Sequence, residues 1–144
     1  MKKSIFVVAI LVGLFVAAAA GPAQAQQSFR VQVPFAFVAN GVTLPAGEYD
    51  IQRQANGGVA LLILSKNSGP SAIVMTNAIQ SKDWQPETCL VFYRYGNRYF
   101  LSQVWTAGDR RGREIYKSPA EKELAKNETP SEVTLLALLT TPKQ

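Results

Sequence analysis

The sequence contains no histidine and a single cysteine, Cys89. Without imidazole the chain can form neither a Ser-His-Asp or Cys-His catalytic set nor the usual zinc and non-haem iron sites. With one thiol it can form neither a thiolate metal cluster nor an intramolecular disulfide. An enzyme built on this sequence would depend on carboxylates, lysine or tyrosine. We therefore expect a non-catalytic protein without a cofactor, and we expect Cys89 to be a small apolar core residue.

Residues 1–25, MKKSIFVVAILVGLFVAAAAGPAQA, have the three parts of a secretory signal peptide. Lys2 and Lys3 precede an apolar run from Ile5 to Ala20, and a small-residue segment then ends in Ala23-Gln24-Ala25. We predict cleavage after Ala25, which makes residues 26–144 a single domain exported to the periplasm or beyond the cell. The alternative is a retained single-span anchor, since the apolar run approaches the lower length limit of a transmembrane helix.

The charge of the chain is moderate. Its formal value is +5 for the whole sequence, and removal of the leader with Lys2 and Lys3 lowers it to +3. This is far from the basic stripe of a dedicated nucleic-acid binder, so we expect no nucleic-acid partner. A small positive charge favours solubility and weak contact with anionic surfaces.

The exported part consists of short apolar segments that turn signals separate. From Phe29 to Phe37 the large apolar side chains fall on one parity, which is typical of a half-buried strand. Tight turns are predicted at Asn40-Gly41, Pro45-Ala46-Gly47 and Asn56-Gly57-Gly58. The strand Val59–Ser65 is apolar on both faces and needs cover on two sides. About eight strands with short links predict an all-β fold, an antiparallel meander that forms a small barrel or a sandwich.

The segment FYRYGNRYFLSQVW, Phe92–Trp105, combines rings and arginines around one turn signal, Gly96-Asn97. Glycine at the first central position fits a type II′ hairpin turn. That register places Tyr95 opposite Arg98, Arg94 opposite Tyr99, Tyr93 opposite Phe100 and Phe92 opposite Leu101. Cross-strand ring pairs and arginine–ring contacts contribute roughly 0.2 to 1 kcal/mol each, so hairpin stability alone accounts for the density of rings.

Two elements are predicted after the hairpin. Ser118-Pro119-Ala120-Glu121 is typical of a capping box, with serine as N-cap, and begins one short surface helix that ends near Asn127. Glu132–Thr140 is apolar on both parities and predicts a final strand, for which a short helix is the alternative. A two-faced last strand would suit closure against the first strand.

Five motifs follow one another along the exported part: VPFAF (Val33–Phe37), LPAGEY (Leu44–Tyr49), RYGNRYFLSQVW (Arg94–Trp105), GRE (Gly112–Glu114) and SPAEKELAK (Ser118–Lys126). This set resembles an uncharacterised family of small exported bacterial proteins. The resemblance implies secretion and a small all-β domain, and it supplies no activity, cofactor or catalytic residue. In the family pattern a histidine often stands at the position of Tyr93, and a polar residue at that of Ala36. A role that depends on that imidazole therefore has no matching residue in this chain.

Paired carboxylates and clustered arginines are the candidates for chemistry. Glu48 and Asp50 share one strand face, as glycosidase acids can, but the solvated side of a half-buried strand looks the same and is favoured. Arginines interleaved with rings could hold anionic glycans or lipid head groups; solvated loop and hairpin charge is again favoured. The arginines of this set are Arg94, Arg98, Arg110, Arg111 and Arg113.

The function that these features favour is a binding module of the cell envelope, for an apolar or amphipathic ligand or a protein partner. Trp84 stands in a polar loop, where it could cover a pocket or anchor a partner, although such a ring more often folds back over the sheet. The candidate binding residues are Trp84, Arg94, Tyr95, Arg98, Tyr99 and Trp105. The alternative function is a structural envelope or matrix protein that self-associates through exposed strands.

Overall fold

The computed structural model describes residues 28–53 and 59–138. The predicted signal peptide and the predicted turn at Asn56-Gly57-Gly58 lie outside the described residues. The described chain forms β1 (Ser28–Val33), β2 (Phe37–Ala39), β3 (Val42–Leu44), β4 (Gly47–Arg53), β5 (Ala60–Ser65), β6 (Ala72–Gln80), β7 (Cys89–Tyr95), β8 (Arg98–Trp105), β9 (Arg111–Ile115), α1 (Pro119–Asn127) and β10 (Ser131–Leu136). The all-β prediction with one short helix is confirmed.

The strands form one many-stranded sheet that is not closed into a barrel. Its order is β1-β4-β5-β6-β9-β8-β2-β3, with β7 paired to β8 and β10 paired to β7. Strand β6 belongs to two parts of the sheet, because Ala72–Met75 pairs with β5 and Thr76–Gln80 pairs with β9. We call β1, β4 and β5 with Ala72–Met75 the first half-sheet, and the remaining strands the second half-sheet.

The predicted meander holds for only part of the chain. Sequence neighbours pair as antiparallel hairpins at β2–β3, β4–β5, β5–β6, β7–β8 and β8–β9, but β1 pairs β4, β6 pairs β9 and β10 pairs β7. The strand predicted from Phe29 to Phe37 is divided at Pro34, which has no N–H to donate to a ladder. Beyond Pro34 the chain passes to the second half-sheet, where β2 makes a parallel contact with β8.

The last strand does not close against the first. The strand interpretation of this segment is confirmed over Ser131–Leu136, and its partner is β7 rather than β1. The two edges meet just after β10, where the backbone N–H of Leu138 donates to the carbonyl of Arg30 over 2.8 Å. One bond of this kind brings the edges together without extending the ladder.

One apolar cluster of the described residues combines buried side chains of both half-sheets. It includes Tyr49, Ile51 and Ile63 of the first half-sheet and Phe37, Leu90, Phe92, Leu101 and Val104 of the second. The ring of Phe37 contacts Tyr49 and Phe92 edge-on, with centroids 5.3 Å apart in both pairs. Edge-to-face packing is favourable for aromatic rings, and here it ties the two half-sheets together.

The predicted turns at Asn40-Gly41 and Gly96-Asn97 and the predicted register of the β7–β8 hairpin are confirmed. Strands β7 and β8 pair in the four predicted positions, and Gly96 has the positive φ of 58° that a type II′ turn requires. Asn40 and Gly41 both have positive φ, at 49° and 80°, as a type I′ turn between β2 and β3 demands. The register shifts beyond Val91, so that Ser102 is the extra residue of a β-bulge.

Helix α1 begins as predicted, with Ser118 as its N-cap. The Ser118 hydroxyl accepts from the backbone N–H of Glu121 at 3.3 Å, and Pro119 occupies the first turn. The Nζ of Lys117 lies 5.8 Å from the centre of the Tyr93 ring, which places the helix start beside strand β7. Nine residues with mostly polar side chains cannot span a bilayer, and the described part of the chain has no other helix.

Candidate functional site

The six candidate binding residues do not form one site. Four of them, Arg94, Tyr95, Arg98 and Tyr99, lie at the tip of the β7–β8 hairpin, whereas Trp105 ends β8. Trp105 lies seven positions after Arg98 on β8, which is about 23 Å along an extended strand at 3.3 Å per residue. The structure therefore separates an arginine-bearing tip from a tryptophan-bearing end.

At the tip, the arginines are used within the hairpin. Arg94 donates from Nε to the carbonyl of Gly96 at 2.7 Å, and its guanidinium carbon lies 5.5 Å from the centre of the Tyr99 ring. The guanidinium of Arg98 is placed similarly over Phe100, at 5.2 Å. Tyr99 stacks on Phe35 with centroids 3.8 Å apart. These contacts agree with the interpretation that rings and arginines stabilise the hairpin itself.

Tyr95 differs from its neighbours at the tip because it is buried. Only 2 % of its surface is exposed, and its ring meets Phe100 edge-on. Its hydroxyl has no hydrogen-bond partner among the described residues. Burial, and then the charge of Glu121, raises the pKa of this hydroxyl. Tyr95 is thus a packing residue in this conformation, and an external partner could not reach it.

Trp84 and Trp105 lie at the opposite end of the hairpin. The expectation that Trp84 folds back over the sheet is wrong, since 66 % of it is exposed. The loop that carries it is held to the Asp109–Arg110 turn by backbone bonds from Gln85 N to Asp109 O and from Ser81 N to Arg110 O. Trp105 lies across Gly112 on the neighbouring strand and donates from Nε1 to Gln103 at 3.0 Å.

A pocket of about 170 Å³ opens at this same end and is lined by residues of both half-sheets. Its apolar walls are Phe29, Ile51, Leu61 and Val104, and its polar rim is Ser28, Arg53, Thr88 and Thr106. An engineered apolar cavity of about 150 Å³ is large enough to bind benzene. The pocket is therefore of a size to hold one aromatic ring or a short alkyl chain.

Strand pairing explains why these walls meet. Phe29 pairs with Ile51 across β1 and β4, so both project from the inner face of the first half-sheet. Val104 projects from the inner face of the second half-sheet, opposite Leu90. The end of β8 is fixed by Thr88, whose hydroxyl accepts from the backbone N–H of Ala107 at 3.0 Å.

Arg53 is the charged residue of the rim, and sequence reasoning did not select it. It ends β4 on the same face as the buried Tyr49 and Ile51. An arginine at a position where the alternation predicts an apolar side chain could have indicated it from the sequence. Burial lowers the pKa of Arg53, the charges of Arg113 and Arg111 lower it further, and Asp109 opposes them. Arg53 is therefore a partly buried cation at the rim of the pocket.

The paired carboxylates predicted as an alternative catalytic set form ion pairs instead. Nε of Arg30 lies 3.2 Å from Glu48 and 3.1 Å from Asp50, and Nζ of Lys66 lies 2.8 Å from Asp50. Burial alone would raise the pKa of Asp50, but the hydrogen bonds and charges of Lys66 and Arg30 lower it overall. A general acid needs a raised pKa, so this geometry suits the outer face of a sheet.

One buried carboxylate lies apart from the pocket. Glu121 is 4 % exposed and its Oε1 has no hydrogen-bond partner among the described residues. Burial raises its pKa, and the charge of Lys117 opposes this. In a complete capping box the Glu121 carboxylate would also accept the backbone N–H of Ser118. The structure has the other bond of the box, in which the Ser118 hydroxyl accepts from the backbone N–H of Glu121. A buried carboxylate oxygen without a hydrogen-bond partner costs folding free energy.

Within residues 28–53 and 59–138, no three histidine, cysteine or acidic side chains are close enough to hold a metal ion. Cys89 is buried, as predicted, and is the free thiol of the chain. Comparison of the chain with family models, with curated proteins and with solved structures finds no match. The argument for function therefore depends on the geometry of the pocket and its rim.

Proposed function

We propose that the protein is an exported, non-catalytic binding protein of the cell envelope, in the periplasm or outside the cell. It holds the apolar part of a small amphipathic ligand between its half-sheets. The observation that carries this proposal is the pocket of about 170 Å³ with apolar walls and a polar rim. Binding pockets are typically concave, mostly apolar and bordered by a few polar groups. The leader at residues 1–25 supports export.

The proposal takes the two half-sheets as the layers of a sandwich that is open at one end. The Phe37–Tyr49 contact and the shared core support this arrangement at the centre. Close packing there leaves no room for a ligand, whereas at the ends of β4 and β8 the layers leave space. The open end is consequently the part of the interior that a ligand can enter.

The test is native mass spectrometry of the protein purified from its own host, compared with two variants. Thr106→Trp places a large ring at the pocket rim and should abolish the ligand-bound mass. Thr134→Trp adds the same ring at an exposed position of β10 and should retain it. Absence of bound ligand from the unmodified protein, with nothing recovered by organic extraction, would contradict the proposal.

The second candidate function is a structural protein that self-associates, and a specific surface favours it. The strand Val59–Ser65, predicted to need cover on both faces, has none on its outer face among the described residues. The outer faces of β5 and β6 carry Leu62 and Leu64 beside Ile73 and Met75, of which Ile73 is 64 % and Met75 48 % exposed. A contiguous exposed apolar patch of this kind can mark an interaction surface.

Light scattering over a concentration series separates the two candidates. Self-association through the outer face predicts a rising mass that Ile73→Lys abolishes, because a charge on an apolar contact is costly to desolvate. Gln32→Lys adds the same charge at an exposed position of β1 and should leave association unchanged. A mass that stays monomeric at every concentration would reject the structural function.

A further inference from the structure

The β7–β8 hairpin buries rings on the face that points away from the central apolar cluster. Its register places Tyr93 opposite Phe100, while the neighbouring pair, Phe92 and Leu101, belongs to the central cluster. Since successive side chains of a strand project to opposite faces, Tyr93, Tyr95 and Phe100 project from the outer face. Tyr95 and Phe100 are nevertheless buried, with 2 % and 1 % of their surface exposed, so another element covers them.

The first turn of helix α1 lies on this outer face. The Nζ of Lys117, just before the helix, is 5.8 Å from the centre of the Tyr93 ring. Glu121 follows four positions later, about 6 Å along a helix axis, and Tyr95 lies two positions beyond Tyr93, about 7 Å along the strand. The charge of Glu121 acts on the Tyr95 hydroxyl and, after burial, is the next cause of its raised pKa. Glu121 is therefore placed beside Tyr95.

The side of α1 that meets the sheet carries little apolar surface. Glu121 is the buried residue of the helix, Leu124 and Ala125 are half-buried, and the other helical residues are exposed. Packing of an apolar face is what normally holds a helix in a protein. Segments with few buried apolar contacts open locally without unfolding of the whole domain. The charge state of Glu121 consequently has a large influence on whether α1 stays docked.

The buried carboxylate of Glu121 is poorly satisfied. Among the described residues, neither its Oε1 nor the buried hydroxyl of Tyr95 has a hydrogen-bond partner. Tyr95 therefore does not donate to Oε1, and desolvation of the ionised carboxylate at this atom is uncompensated. Docking of α1 is for this reason less costly when Glu121 is protonated.

The other charges on this face do not remove that cost. Burial raises the pKa of Glu121, and the charge of Lys117 opposes this without cancelling it. Strand pairing places Arg98 opposite Tyr95 and Glu132 opposite Tyr93 on the same face, and the guanidinium of Arg98 lies over the Phe100 ring at 5.2 Å. The titratable and charged groups that face Glu121 are thus Lys117 before the helix, Tyr93 and Tyr95 of β7, Arg98 of β8 and Glu132 of β10.

We propose that α1 is a pH-gated cover of the β7–β8 hairpin, which docks on Tyr95 when the Glu121 carboxyl is protonated and undocks as this carboxyl ionises. Undocking exposes the rings of Tyr95 and Phe100. Because the pKa of the docked carboxyl is raised from its ordinary 4.5, the stabilisation of the docked state is complete below pH 4.5 and is lost as the pH rises through the raised pKa. The inference does not depend on the pocket.

The experiment is hydroxyl-radical labelling of the exported protein at a series of pH values from acid to weakly alkaline, with the labelled tyrosines identified by mass spectrometry. Tyr116, which is 50 % exposed, is the internal reference for the reaction itself. The labelling of Tyr95 relative to Tyr116 should rise about tenfold across the series, the size of effect of one unsatisfied buried polar group on an equilibrium. Tyr49, 1 % exposed in the central cluster, should stay protected.

Variants assign the effect to the buried carboxyl. Glu121→Gln has nearly the same shape and cannot ionise, so Tyr95 should stay protected at every pH. Glu123→Gln removes the same charge at an exposed position of the same helix and should retain the rise. A constant Tyr95 ratio in the unmodified protein, or a rise that persists in Glu121→Gln, would refute the proposal. Labelling of Tyr49 together with Tyr95 would show that the whole domain opens and would refute a cover formed by α1.

Discussion

The packing of the Trp105 ring on Gly112 predicts opposite effects of Gly112→Ala on the free energy of unfolding. The substitution should lower it when Trp105 is present and raise it when Trp105 is replaced by alanine. A Cβ built on Gly112 would lie 2.5, 2.7 and 2.8 Å from three carbons of the Trp105 ring. Those atoms belong to a rigid ring that is also held by its bond to Gln103. Gly112→Ala must therefore displace the ring or the strand, and overpacking of this kind costs about 1–3 kcal/mol.

Removal of the ring should reverse the effect. Gly112 has no positive φ that would strain an alanine, and alanine is about 0.5–1 kcal/mol more favourable than glycine in the middle of a strand. In a Trp105→Ala background, Gly112→Ala should therefore increase the free energy of unfolding. The free energy of unfolding should be measured for the unmodified protein, both single variants and the double variant. Urea unfolding followed by far-ultraviolet circular dichroism is suitable because it does not depend on tryptophan emission. An equal loss of stability in both backgrounds would show that the ring does not cover Gly112.

Three further predictions concern titratable groups. The pKa of Glu121 is raised above its ordinary 4.5, so the stability that its protonated form contributes is complete below pH 4.5 and is lost as the pH rises. Glu121→Gln should therefore stabilise the protein by about 1 kcal/mol at pH 7 and hardly at pH 4. Equal unfolding curves of the two proteins at pH 7 would contradict this. Asp50 has a pKa lowered from 3.8, so the stability that its ionised form contributes is present above pH 3.8 and is lost as the pH falls. Asp50→Asn should lower the free energy of unfolding by about 0.5–1 kcal/mol at pH 7. Unfolding measured at acid pH should show no difference between the two proteins. Burial, and then the charge of Glu87, raises the pKa of the Cys89 thiol. A disulfide reagent should therefore modify Cys89 slowly in the native protein and rapidly in urea. Rapid modification of the native protein would place Cys89 outside the core.

Local features were predictable because few neighbouring residues determine them. Glycine at position 96 imposes the register of the β7–β8 hairpin, and Asn40-Gly41 and Ser118 likewise act within four residues of themselves. The pairing of β10 with β7, and the division of β6 between two partners, depend on how distant segments share one core. Alternation within a strand carries no information about which remote strand becomes its neighbour.

The site was less predictable than the fold for a related reason. Rings and arginines that are dense in the sequence drew attention to the hairpin tip, where they stabilise one another. The residues that line the pocket lie on β1, β4, β5 and β8 and just outside β7 and β8, and only the tertiary structure brings them together. Arg53, on the apolar parity of β4, was the one local departure that pointed to this end.

The most direct test of the central claim is a methyl nuclear magnetic resonance titration of the exported protein with octanoate. If the open end of the interior is the binding site, the methyl signals of Ile51, Leu61 and Val104 should shift together and saturate, while Ile73 on the outer face stays unchanged. Shifts concentrated on Ile73 and Leu62, with the pocket methyl groups unaffected, would contradict the claim and assign binding to the outer surface.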